Sequence, residues 1–365
     1  MATIEPYDTK SGKRYRVRYR TPDRRQTDKR GFRTKKSAQD FAATVEVEKL
    51  TGSYVPPSAG RVTVALYGEQ WFTSKVNLSA STRARYRSAL DVHILPVFGS
   101  TPIADVTRPL LRNWITAMSA TSSAATVRKN VGVMHQILEQ AVNDSRLSGN
   151  AAAGLDLPSI EQTERRYLDV AQVDSLADAA GANGVLCYTL AYCGPRFGEA
   201  AALSVRDVDL DRGRLRIHRS ATVVDSKIVF SSTKSKKARD APVPGFLCEL
   251  LSAHIAGREP SALVFPAAQG GVMRSNNVRR RWWNTAVQES TAPDGLVPHE
   301  LRHTCASLAI KAGANIKTLQ RMLGHTSAAL TLDRYGHLFD DDLGMVADKL
   351  DGLARPKLSH LSVVS

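Results

Sequence analysis

Residues 298–312 read Pro-His-Glu-Leu-Arg-His-Thr-Cys-Ala-Ser-Leu-Ala-Ile-Lys-Ala, the densest local signal in the chain. At about 100° per residue, Leu301, Cys305, Leu308 and Ala312 form one apolar stripe of a helix. His299, Arg302 and His303 fall on the opposite side. Pro298 stands where a helix commonly begins. A histidine and an arginine three residues apart therefore share a face at a helix N-terminus, whose free N–H groups favour a phosphate. The same string spells H-E-x-x-H, a zinc-hydrolase signature with His299 and His303 as ligands and Glu300 as base. That reading needs a third ligand downstream. No glutamate follows residue 303, which leaves a histidine such as His325 or His337, or an aspartate.

Further pieces lie on either side. Upstream, Cys193-Gly194-Pro195-Arg196-Phe197-Gly198-Glu199-Ala200 reads as a turn opening a helix, with Arg196 at its start. Glu199 follows one helical turn later, placed to orient an arginine. Leu215 and Ile217 alternate with Arg214, Arg216 and His218 as a strand does, and residues 227–232 and 241–244 read as its partners. The run Thr233-Lys234-Ser235-Lys236-Lys237-Ala238-Arg239 lies between strand-like stretches, so its cations belong at a hairpin tip. Downstream, Leu323-Gly324-His325 closes a helix with Gly324 as the C-cap. Ten residues later comes Leu332-Asp333-Arg334-Tyr335-Gly336-His337.

The charge balance narrows the partners. The chain has 365 residues, 50 Lys/Arg against 35 Asp/Glu, a net charge of +15 and 42% hydrophobic residues. Such a chain builds real cores and meets a polyanion, most often nucleic acid. Residues 1–36 alone hold 13 Lys/Arg and 4 Asp/Glu. Within them Arg14, Arg16, Arg18 and Arg20 alternate with Tyr15, Val17 and Tyr19, which predicts a strand with an arginine on one face about every 7 Å. Residues 29–34 read as another strand. Ser37 is expected to cap a helix running to Leu50, with Phe41, Val45 and Leu50 as its apolar side. A small sheet with such a face fits a DNA groove. Residues 52–60 and 150–166 read as linkers. Between them, 62–76, 81–95, 107–118 and 124–147 have helical spacing. The second of these helices carries Arg83, Arg85 and Arg87 beside Tyr86, a surface suited to gripping a DNA backbone. Cys187, Cys193, Cys248 and Cys305 include no CxxC pair and fit reduced, buried thiols. No signal peptide or run of about 18 apolar residues is present, so a cytoplasmic protein without a membrane span is expected.

Taken in order, the arginine, the hairpin lysine, H-x-x-R, L-G-H and the tyrosine resemble the tyrosine site-specific recombinases, or phage integrase family. The match spans Arg196 to Tyr335. Any single motif is weak, but five in sequence are specific. Pro195 is a departure, since the family often has leucine before that arginine. The resemblance implies that Arg196 and Arg302 clamp the scissile phosphate and that Lys234 protonates the leaving oxygen, with Lys236 or Lys237 as alternatives. It implies His299 and His325 as active-site histidines, Glu199 as a supporting acid and Tyr335 as the nucleophile. No cofactor or metal is implied.

The architecture that follows is multidomain α+β. Residues 1–58 would be a basic three-stranded sheet plus helix that binds arm-type DNA. Residues 62–156 would be an all-α domain binding core-type sites. Residues 165–350 would be a mixed, mainly α catalytic domain with a small antiparallel sheet, and 351–365 a tail. Implied partners are double-stranded DNA with core-type and arm-type sites, three further copies in a homotetramer, a host DNA-bending protein and an excisionase. The implied activity is integration of a phage genome and, with a helper, its excision. A transposon integrase or resolvase with the same chemistry, a type IB topoisomerase and a non-catalytic DNA-binding regulator are the competing readings.

Overall fold

The structure, a computed structural model, describes residues 2–22, 24–52, 54–56, 58–161, 165–232, 238–339, 347–348 and 350–351. Lys234, Lys236 and Lys237, and the expected tail beyond Asp351, lie outside the described residues. The chain divides into two compact units, residues 1–162 and 163–365.

The first unit opens with an antiparallel sheet of β1 (Thr3–Thr9), β2 (Gly12–Arg20) and β3 (Gln26–Phe32), in that spatial order. Alternation along β2 sends Val17 and Tyr19 into a small core with Ala38, Val45 and Tyr54. The arginines take the other face. Helix α1 (Lys35–Leu50) covers the apolar side. Its cap is Thr34 rather than Ser37: Thr34 Oγ1 accepts the Ser37 backbone N–H at 3.1 Å. Leu50 is 86% exposed and does not join the apolar stripe. It lies about 120° round the helix from Ala38, whereas Phe41, Ala42 and Val45 keep to the i+3/i+4 line. The supposed linker is partly tied down, because Tyr54 is buried and donates to Tyr19 Oη at 3.2 Å.

The rest of this unit is helical. It comprises α2 (Val64–Ser74), α3 (Ala80–Ser88, running on through Ala89–Ile94 and Leu95–Phe98), α4 (Arg108–Ser119) and α5 (Ala124–Asn143). Their apolar faces bury Trp71, Leu90, Ile94, Leu111, Met134 and Ile137 together. The expected second linker begins on this bundle: Asn150 donates to His135 O and Glu139, and Arg108 donates to the Ala153 and Gly154 carbonyls.

In the second unit, α6 (Val170–Ala179) starts with a capping box of Asp169 and Gln172. A short three-stranded sheet follows in the order β4 (Val208–Asp209), β5 (Arg214–Ile217), β8 (Arg239–Pro242). Residues 227–232 do not pair with β5 as expected. They form β7 (Lys227–Ser232), which pairs with β6 (Arg219–Val224) as a separate hairpin. Its two turn residues, Asp225 and Ser226, have φ of 47° and 63°. That conformation matches strand twist and makes the local hairpin the easier pairing. Beyond it come α7 (Gly245–Ile255), α8 (Glu300–Lys311), α9 (Ile316–Leu323) and α10 (Ala328–Tyr335).

Helix α8 corrects the single-stripe expectation. Leu301 belongs to the large core of this unit, while Cys305, Ala306 and Ile310 belong to a second cluster with Leu319, Leu323 and Tyr335. Ala312 is exposed, and Arg302, on the supposed polar side, is 2% exposed. The helix is enclosed on most sides, so Arg302, Thr304 and Ser307 are buried rather than solvated. The segment Thr189–Cys193 packs beside it and ends at Gly194 with φ of +63°. A Cβ at Gly194 would lie 2.8 Å from Cys305 Sγ and 3.0 Å from Leu323 Cδ2. Gly194→Ala therefore combines backbone strain with a clash and should cost about 1–3 kcal/mol of stability. Urea unfolding of the two proteins measures it as a lowered midpoint at unchanged slope.

Candidate active site

Glu199 anchors the site. It stands in the short helix Phe197–Ala200 with its side chain 1% exposed. One carboxylate oxygen accepts from Arg196 Nη1 at 2.9 Å and Arg239 Nη1 at 3.1 Å. The other accepts from the Arg196 backbone N–H at 2.8 Å and Arg239 Nη2 at 2.6 Å. Burial works against this charge, but Arg239 and then Arg196 outweigh it and hold the carboxyl pKa below its usual value. Sequence spacing identified Glu199 and Arg196. It placed Arg239 among the hairpin-tip cations, whereas Arg239 begins β8 with its side chain 8% exposed. Its Nε also donates to Met322 O at 3.0 Å, so it ties α9 to the Arg196 turn.

Arg302 reaches the same place from α8. Its guanidinium donates to the carbonyls of Gly194 and Leu323, both beside left-handed glycine turns. Among the described residues it has no carboxylate partner. Burial first, then the charges of Arg196 and Arg239, lower its pKa to about 9. Arg196 and Arg239 thus share one buried carboxylate while Arg302 nearby has none among the described residues, a surplus of positive charge suited to an anion. His299 is the N-cap of α8 and is exposed at its start. Desolvation by the surrounding walls, then Arg302 and Arg196, lowers its pKa.

Tyr335 ends α10 and is 0% exposed. Its hydroxyl lies 2.8 Å from His303 Nδ1. The His325 ring stacks parallel to it, with centroids 6.2 Å apart. Burial raises the phenol pKa, while Arg302 and Arg334 pull it down. His325 is itself buried, and its Nδ1 lies 2.9 Å from Thr331 Oγ1. Its Nε2 is buried without a hydrogen-bond partner among the described residues. A buried polar atom is costly to leave unpaired, so Nε2 is suited to meet an oxygen of an incoming group. The zinc alternative lacks a third ligand among the described residues, and its second histidine is engaged with Tyr335.

A cleft of about 1470 Å³ opens beside His325 and Arg239, walled by Arg206, Arg214, Arg216, Lys317 and Arg321. The arginines expected to grip DNA elsewhere are less free than their spacing implied. Arg16 and Arg18 are bound to Glu5 on β1 at 2.5 Å and 3.2 Å. Arg14 is half-buried and Arg20 exposed. Arg87 is held by Glu69 and Asp91, and Arg83 donates to Lys75 O at 2.7 Å. Both stack on Phe72, bracing α2 against α3. Arg85, the exposed one of the three, has only a 3.4 Å contact to Thr82 Oγ1.

Comparison with known proteins matches three successive parts of the chain to family models. Residues 6–49 match an arm DNA-binding domain, 65–157 the phage integrase central domain, and 166–341 the phage integrase family. The integrase of Mycobacterium phage FRAT1 is 28% identical over 284 residues, spanning 75% of this chain and 84% of that protein. The Tn1549 transposon integrase in complex with a circular intermediate DNA superposes with a TM-score of 0.68 at 19% identity, covering 79% of this chain and 99% of that one. A lambda integrase tetramer bound to a Holliday junction superposes with a TM-score of 0.59 at 16% identity, covering 88% and 96%. With these arginines, histidines and the buried tyrosine gathered in one unit, and with three successive parts of the chain matched by these models, the chain belongs to the phage integrase family of tyrosine recombinases.

Proposed function

We propose that this enzyme is a phage-type integrase that inserts a circular genome into a chromosome, and with a helper excises it, through a 3′-phosphotyrosyl bond on Tyr335. The observation that carries the proposal is the buried surplus of guanidinium charge near the phenol, together with His325, which stacks on that phenol and whose Nε2 is buried without a partner among the described residues. A phosphodiester anion satisfies both deficits at once. Arg196 and Arg302 take its non-bridging oxygens, where charge grows in the transition state. Arg239 and Glu199 hold Arg196 in place. His325 donates from Nε2, and His299 lines the entrance.

Tyr335 Oη then forms a bond to phosphorus and the bond to the 5′-oxygen breaks. The phenol loses its proton, and the 5′-oxygen gains one from a lysine of the run between β7 and β8, strands of two different sheets rather than one hairpin, Lys234 by family resemblance. Making a phenolate at pH 7 costs roughly 4 kcal/mol from an ordinary tyrosine pKa, which the nearby cations help offset. The new bond keeps the energy of the broken one, so the 5′-hydroxyl of a second strand can reverse the step without ATP. The same groups serve both directions.

The integrase role draws on the phage relative, and four subunits around a junction draw on the lambda tetramer. The arm-site role belongs to the sheet bearing Arg14, Arg16, Arg18 and Arg20. The core-site role belongs to the helical part bearing Arg83, Arg85 and Arg87. A host DNA-bending protein and an excisionase complete the proposed partners, in the cytoplasm of a bacterial host.

Tyr335→Phe should keep DNA affinity and abolish the covalent adduct on a nicked suicide substrate; an adduct from that variant removes the assignment. Deleting residues 1–58 should weaken arm-site binding and flatten its salt dependence by about 0.9 per lost phosphate contact, with core-site binding retained. Equal loss at both sites would contradict the two-site division.

Acid should also destabilise the DNA-free protein. Burial, then nearby arginines, push His325 to about 3, and burial, then His299 and nearby arginines, push His303 to about 4. An unfolded histidine takes up its proton near pH 6.5, whereas these folded ones stay neutral well below that. Their contribution is complete above about pH 6.5 and is lost as pH falls toward 4. For His325 alone the loss between pH 7 and pH 5 is on the order of 2 kcal/mol. Urea midpoints at both pH values measure it, and His325→Gln should show the shallower dependence.

A further inference from the structure

We infer that His303 is the residue that positions the nucleophile, holding the Tyr335 hydroxyl toward the phosphate clamp. The inference rests on the assignment of Tyr335 as nucleophile and adds the residue that follows the H-x-x-R string. Three observations carry it. The hydrogen bond to His303 Nδ1 at 2.8 Å is the one directional contact of the phenol oxygen among the described residues. The two rings stand 5.7 Å apart and tilted by 59°, while His325 covers another face of the phenol in parallel at 6.2 Å. His303 also follows Arg302 directly in α8. One turn of one enclosed helix therefore supplies both the phosphate-clamping guanidinium and the contact that sets the phenol, so their separation is fixed by helix geometry rather than by loop closure.

The protonation state suits this task. His303 stays neutral at pH 7, so Nδ1 can accept the phenol proton in a hydrogen bond. Both lone pairs of Tyr335 Oη then remain unblocked for attack. An imidazolium would instead add a positive charge beside Arg302 and could only donate to that oxygen. Stacking on His325 limits tilting of the phenol ring but does not select where its hydroxyl points. Removing His303 leaves the ring buried and its oxygen without direction.

The test uses the full-length protein on a nicked suicide core-site duplex, with single-turnover adduct formation as the readout. His303→Ala should lower the rate by about ten- to a hundred-fold, the scale expected for a misplaced reacting group, with DNA affinity unchanged. His303→Asn, whose side-chain amide can stand near Nδ1, should recover most of it. A second arm removes the phenol: in a Tyr335→Phe background, hydrogen peroxide serves as external nucleophile on the same phosphorus, expelling the same 5′-oxygen. There His303→Ala should leave strand cleavage unchanged, because nothing remains for His303 to hold. Equal loss in the peroxide reaction overturns the inference, since it would mean an effect on the phosphate or on the fold. A wild-type adduct rate in His303→Ala overturns it as well. No adduct from the wild-type chain would overturn the nucleophile assignment, and this inference with it.

Discussion

One buried carboxylate organises the catalytic unit. Glu199 accepts four hydrogen bonds from Arg196 and Arg239 while almost wholly shielded from water. An unpaired carboxylate there would cost several kcal/mol, so its two partners cannot be lost without unsettling three chain segments together. Those segments are the Arg196 turn, the start of β8 and, through the bond from Arg239 to Met322, the end of α9 that leads into His325. The carboxylate serves less as a source of net stability than as a register pin for the groups around it.

The pin neutralises only part of the charge it gathers. Arg302 comes from α8 with backbone carbonyls as its partners, and burial, then the guanidinium groups of Arg196 and Arg239, lower its pKa. The site therefore carries a surplus of positive charge that an entering anion would neutralise. This pre-set field is worth more in a cleft than in water, and it needs no rearrangement when charge develops on the phosphate. The histidines are kept neutral by the same conditions. Burial and nearby arginines disfavour their charged forms, which leaves them as directional donors and acceptors. Tyr335 shares this environment, packed with Cys305, Leu319 and Leu323. Tyr335 is thus part of a hydrophobic cluster as well as a neighbour of His303 and His325.

Much of this was legible in residue order. Alternation in residues 14–20 identified a strand and both of its faces, because one buried side forces a period of two. The succession from Arg196 to Tyr335 identified the chemistry, because each group is of a type that phosphate transfer requires. Other features were not legible, each for a physical reason. Glu5 meets Arg16 and Arg18 only through cross-strand pairing of β1 with β2, so the arginine face looked freer than it is. Lys227–Ser232 has the same strand pattern whichever partner it takes, and a two-residue turn with positive φ selected β6. Leu50 missed the apolar side by part of a helical turn.

The sequence by itself determined the residue types from Arg196 to Tyr335, their order and the family to which the chain belongs, since residue type and spacing are properties of the chain. Only the tertiary structure decided which of them touch. It enclosed α8 on most of its surface, brought Arg239 from the edge of a basic run to the centre of the site, and set His303 against Tyr335 across 32 residues. Contacts of that kind depend on how separate elements pack. A local period cannot report them, because the same period is compatible with several packings and only burial of the whole unit chooses among them.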